Sequence, residues 1–190
     1  MISLTAFFWI MVMFFALIGS MRGWTKEVIA TSGLILSLFA INQFGPYFTS
    51  LMGGGSTIDT DAVRRQVFYL FTAIHLVIAF FSYQGPAFAG SRLAERLRVR
   101  DSLQDKLMGL LVGGVNGYLI IGAILAFLEY QLQSPSNWVR LAPGVSYPFS
   151  WVIRTTDMET LLTNLPLPLL APYLPFLVVI VFLFVIIVMI

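Results

Sequence analysis

Three residues in this sequence have side chains suited to chemistry in an apolar setting: His75, Arg22 and Asp105. His75 is the only histidine, and it stands between Ile74 and Leu76 in the uncharged run Gln66–Ser91. An ionisable ring there could ligate a haem or chlorophyll metal, relay a proton, or sit neutral and hydrogen-bonded to a neighbouring helix. With no acidic residue in the run to orient the ring, the neutral, hydrogen-bonded state is the expectation. Asp105 follows Ser102-Leu103-Gln104 in capping-box order, with Asp in place of Glu or Gln, so it reads as a helix start near the positive end of the dipole. A functional carboxylate at a membrane mouth is its alternative use. Arg22 closes the first uncharged run as the first basic residue. There is no cysteine, which removes disulfides, zinc knuckles, iron–sulfur clusters and thiol nucleophiles. No Ser-His-Asp set and no paired intramembrane carboxylates can be assembled. Neither catalytic residues nor a metal or cofactor is expected, and the chain does not read as an enzyme.

A different pattern concerns packing. Gly109, Gly113 and Gly117 recur every four residues, with Gly114 and Gly122 nearby, and Gly19 and Gly23 repeat the spacing earlier. Positions four apart share a helix face. A stripe without side chains lets another backbone approach closely, which is how membrane helices associate where lipid supplies no hydrophobic drive. The partner is a helix of the same chain or of another subunit. Gly53-Gly54-Gly55 faintly suggests a phosphate loop, but no Lys follows and no strand precedes it.

The elements that carry these residues follow from charge. Of 190 residues, 58% are hydrophobic and 11% charged, and the mean hydropathy is +0.89. A soluble domain carries about 25% charged residues, so that class is excluded. The net charge of +2 is too small to argue for nucleic acid. Uncharged runs cover Met1–Met21, Val28–Ile58, Gln66–Ser91, Leu107–Leu128 and Thr160–Ile190. A hydrocarbon core about 30 Å thick needs about 20 apolar residues in a helix. The expected fold is all-α, a polytopic membrane helical bundle, with spans at roughly 2–21, 28–50, 66–88 and 107–129. The first run lacks a basic n-region and reads as a retained helix rather than a signal peptide. A fifth span is expected at 169–190, with a half-inserted hairpin as the alternative because Pro166, Pro168, Pro172 and Pro175 punctuate the run. Residues 1–133 then form a four-helix membrane domain. Residues 134–168, with Trp138, Tyr147, Phe149 and Trp151 among prolines and arginines, form an amphipathic segment on the membrane surface.

Lys and Arg set the orientation. Arg22 and Lys26 fall in one short loop, and Arg92, Arg96, Arg98, Arg100 and Lys106 in another. Loops 22–27 and 92–106 are therefore expected in the cytoplasm, with the N-terminus outside. The cluster Arg92, Arg96, Arg98 and Arg100 fixes topology and contacts anionic lipid.

Arg22-Gly23-Trp24 with Glu27 opens the second span, and Asp105-Lys106-Leu107-Met108-Gly109 with Gly113 and Gly117 opens the fourth. With Trp138 and Leu141-Ala142-Pro143 downstream, this order resembles the colicin V production protein (CvpA-like) family over roughly residues 1–160. Three positions depart from the family pattern: Thr5 stands where an acidic residue is common, Asn116 where Arg often precedes the last glycine, and Lys106 where Arg is usual. Residues 161–190 extend past the typical four-helix chain. The resemblance implies a bacterial inner-membrane protein linked to toxin production, toxin export or envelope function, and it implies no reaction. Its expected partners are membrane lipids, a second copy or other membrane proteins. Two other readings stay open at this point. One is a small channel or transporter subunit with Asn116 and Tyr118 at a seam between protomers. The other is a structural or pigment-binding subunit with His75 as ligand.

Overall fold

The computed structural model describes residues 4–53, 61–88, 103–132 and 156–189. Helix α1 is Leu4–Arg22, α2 Trp24–Gly53, α3 Asp61–Phe88 and α4 Leu103–Leu132. Three shorter helices follow, α5 Thr156–Thr163, α6 Pro166–Leu170 and α7 Leu174–Met189. Helices α1 to α4 are each long and apolar enough to cross a membrane. The α5–α6 region and α7 pass the same test only as a pair bent by 60°, which makes four or five spans. The uncharged run from Leu169 is thus the end of α6, a turn and α7 rather than one rod. Its cause lies in the prolines: Pro172 and Pro175 cannot donate to the helix ladder.

Loop 22–27, expected from the charges, needs correction. Arg22 ends α1, Trp24 starts α2, and Gly23 alone makes the turn. Its φ of +87° is left-handed, a conformation that glycine adopts without steric cost. Helix-like bonds continue on both sides, with Gly23 N–H donating to Gly19 O at 2.9 Å and Glu27 N–H to Gly23 O at 3.3 Å. The charges of 26 and 27 therefore belong to a helix.

Interhelical contacts fix the topology. Gly19 meets Gly109 and Gly113, and Phe8 lies near Gly122, so α1 runs antiparallel to α4. Trp24 meets Asp105 and Thr31 meets Asn116, so α2 runs parallel to α4. Gly33 meets Ser82 and Gly45 meets Phe71, so α3 runs antiparallel to α2. Successive long helices alternate in direction, as consecutive spans must.

The core has two parts. Leu34, Leu38, Ile41, Val67, Phe71, Ala79, Leu119, Ile120, Ala123, Phe127 and Leu174 form one cluster among α2, α3, α4 and α7. Phe8, Val12, Leu125, Ala126, Leu161, Leu162 and Leu165 form the other. Of the segment expected on the membrane surface, residues 134–155 lie outside the described residues. The rest inserts Leu161, Leu162, Leu165 and Pro166 into the bundle, with Pro166 against the gap left by Gly122.

Candidate functional site: a buried polar knot

Glu27 sits in the first turn of α2, one helical turn past Gly23, and is fully buried. Its carboxylate Oε1 is paired with Arg22 Nε at 2.7 Å. Oε2 accepts from Asn116 Nδ2 at 2.8 Å and from the Tyr83 hydroxyl at 3.2 Å. Asn116 Nδ2 also donates to the Glu27 carbonyl at 3.0 Å. The amide's oxygen end accepts from the Thr31 hydroxyl at 2.7 Å, and the same hydroxyl lies 2.9 Å from the Glu27 carbonyl. Arg22 closes the ring: it donates from Nη2 to the Tyr83 carbonyl at 3.0 Å and stacks over the Tyr83 ring at 4.4 Å. Four helices are joined at one carboxylate. A charge in hydrocarbon is tolerated only when paired, and both carboxylate oxygens here are engaged.

Asp105 lies beside the knot. Its Oδ1 accepts from the Trp24 N–H at 3.2 Å, so a carboxylate on α4 caps the start of α2. The sequence reading gave it the start of its own helix, with a functional carboxylate at a membrane mouth as the alternative, and not a cap on α2; Ser102 lies outside the described residues. Any side chain at residue 23 would place its Cβ 2.7 Å from Asp105 Oδ2. Turn and cap are thereby locked together.

The glycines bring α1 onto α4. A Cβ on Gly113 would lie 2.6 Å from Phe15 O and 2.7 Å from Gly19 Cα, and one on Gly117 2.6 Å from Phe15 Cβ. Gly109 packs against Gly19 and Gly23. The stripe's partner in this fold is α1 of the same chain. Sequence reasoning missed a second seam, on α2. A Cβ on Gly33 would meet Ser82 Cβ at 2.6 Å, and one on Gly45 would meet Phe71 Cζ at 3.2 Å. Ser37 sits between them, four residues after Gly33 and eight before Gly45. The signal was present, but spread over Gly and Ser rather than Gly alone.

His75 is fully buried on that seam, with Nδ1 and the Ser37 hydroxyl 2.9 Å apart. Nε2 makes no hydrogen bond of good geometry, although the ring lies within reach of the Leu119 backbone on α4. Phe127 packs edge-on at 6.0 Å. A serine beside a histidine has the outline of a nucleophile and its base. Here both residues are fully buried, so a substrate carbonyl or a macrocycle would have to part α2 from α3. The two residues expected at a seam between protomers have partners within this chain. Asn116 is fully buried in the knot, and the Tyr118 hydroxyl donates to the Asn164 carbonyl. Arg92, Arg96, Arg98, Arg100, Trp138 and Leu141-Ala142-Pro143 lie outside the described residues.

Two comparisons bear on this geometry. The chain is similar to a colicin V production protein homolog of Haemophilus influenzae, 25% identical over 147 residues that cover 74% of this chain and 84% of that protein. No solved structure matches. The family model for colicin V production protein matches residues 4–149, a stretch that holds the one-residue turn, the Glu27 knot and both glycine-lined seams. The chain belongs to the colicin V production protein family.

Proposed function

We propose that the chain is an integral protein of the bacterial inner membrane that supports the production or export of a peptide toxin, or the envelope state that this needs, without catalysing a reaction. Family membership carries the link to toxin production. The non-enzymatic part is supported by the knot, where both Glu27 oxygens are held by Arg22, Asn116 and Tyr83. A carboxylate so engaged fixes helices; it is not poised to attack or to shuttle a proton. Membrane lipids are its surroundings, and a second copy or other membrane proteins are its partners. The proposed orientation puts the turn at Gly23 and the start of α4 in the cytoplasm. The topology supports it, since Arg22, Lys26 and Lys106 fall at one end of the alternating bundle. Short loops rich in Lys and Arg stay inside.

The test is deletion of the gene in a strain that secretes a toxin of the colicin V kind. Toxin activity is assayed separately in medium and in cells. Loss from the medium, restored by the wild-type gene, is the expected result. Cells that retain the toxin place the defect in export, and cells without it place the defect in production. Unchanged toxin in the medium would refute the proposal.

A further inference from the structure

Helix α7 is built as an arm on a pivot. Its first residue, Leu174, is fully buried in the main core cluster, and before it Leu165, in the second cluster, and Pro166 are nearly fully buried. Between these anchors the chain bends by 60°, at residues 171–173. The Ala171 N–H donates to Leu167 O and the Tyr173 N–H to Leu170 O, but Pro172 and Pro175 have no N–H to give. Proline sites of this kind are where helices bend. Beyond the pivot α7 packs chiefly on α2, while Phe176, Val179, Ile180, Phe182 and Leu183 are all more than half exposed.

On its other side α7 stands off from α4. The gap is a cleft of about 410 Å³ lined by Val28, Thr31 and Ser32 on α2, Leu111, Val112 and Val115 on α4, and Ile180, Val181 and Phe184 on α7. Its lining includes Thr31, whose hydroxyl is turned to Asn116 in the knot. In a bilayer, apolar side chains lose little when they exchange lipid for protein, since lipid tails are as apolar as leucine. A swing of α7 toward α4 therefore meets no large solvation barrier, and the broken ladder at 171–173 concentrates the bending there.

We propose that α7 is a hinged lateral gate. It pivots about Leu174 between the open cleft and a closed position against Leu111 and Val115, and so governs access from the bilayer to the apolar cleft that flanks the knot on the Thr31 side. This does not rest on the toxin-linked reading.

The absence of native cysteine makes the test direct. Spin labels on Leu111→Cys and Ile180→Cys, at positions 62% and 61% exposed, span the cleft in protein reconstituted into lipid nanodiscs. A reference pair on Leu17→Cys and Leu111→Cys spans the close-packed α1–α4 seam. Pulsed dipolar spectroscopy should give two separated distances across the cleft and one narrow distance for the reference. A single cleft distance as narrow as the reference would overturn the gate. Its failure would leave the toxin assay untouched.

Discussion

Gly23 and Glu27 are four residues apart and depend on each other. The left-handed turn at Gly23 swings α2 back beside α1, and that reversal brings Arg22 of one helix to Glu27 of the next. A left-handed conformation costs a non-glycine residue about 1–2 kcal/mol, and a Cβ there would also press on Asp105. Gly23→Ala should therefore lower the yield of folded protein several-fold on size-exclusion chromatography in mild detergent. Gly114→Ala is the control, since its Cβ would meet Ala16 at an ordinary 3.6 Å, and it should behave as wild type. Equal losses in the two variants would mean that generic helix effects, not the turn, are being read. Glu27 was visible in sequence as part of the Arg22-Gly23-Trp24 pattern and as a charge beside Lys26, a pair that reads as a loop, but not as a buried group. Its burial depends on Asn116 and Tyr83, far away along the chain, and local sequence holds no trace of that.

At the scale of elements, the fold rests on two seams made close by small residues. Helix α1 lies on α4 across Gly19, Gly109, Gly113 and Gly117, and α3 lies on α2 across Gly33, Ser37 and Gly45. The first was legible because glycines at four-residue spacing inside an apolar run have few other uses. The second was harder to read, because its small residues are spread over Gly33, Ser37 and Gly45, and Ser37 also serves as a partner for His75. Gly113→Leu puts an isobutyl group where the Phe15 carbonyl and Gly19 already sit. Overpacking costs about 1–3 kcal/mol, sometimes more, so this variant should lose monodisperse protein. Leu111→Ala trims a side chain that is 62% exposed and should change little in the same chromatogram. Loss of folded monomer is the outcome expected of a seam within one chain. A folded, smaller particle would instead assign the seam to a contact between subunits.

At the scale of the whole molecule, charge-free runs gave the four long helices because a bilayer leaves a spanning segment few ways to carry charge. The C-terminal part was less legible. Prolines mark where a helix breaks but not what it then packs on, and the docking of Pro166 against Gly122 is set by tertiary shape. Alternating helix directions put the Gly23 turn and the start of α4 at one end, so a single labelling experiment tests the proposed orientation. In intact cells Ser56→Cys should react with an impermeant maleimide and Ser102→Cys should not; the reverse pattern would invert the orientation. The central claim is that Arg22 and Glu27 act as one unit tying the helices together. A double-mutant cycle with Arg22→Met and Glu27→Gln, read as unfolding free energy in mixed micelles, tests it most directly. Each single variant should cost up to about 3–5 kcal/mol, the usual loss when one partner of a buried pair is removed, and Arg22→Met the less, since its side chain is 26% exposed. The double variant should cost about 1–3 kcal/mol less than their sum. Strictly additive losses, or neutral single variants, would contradict the knot.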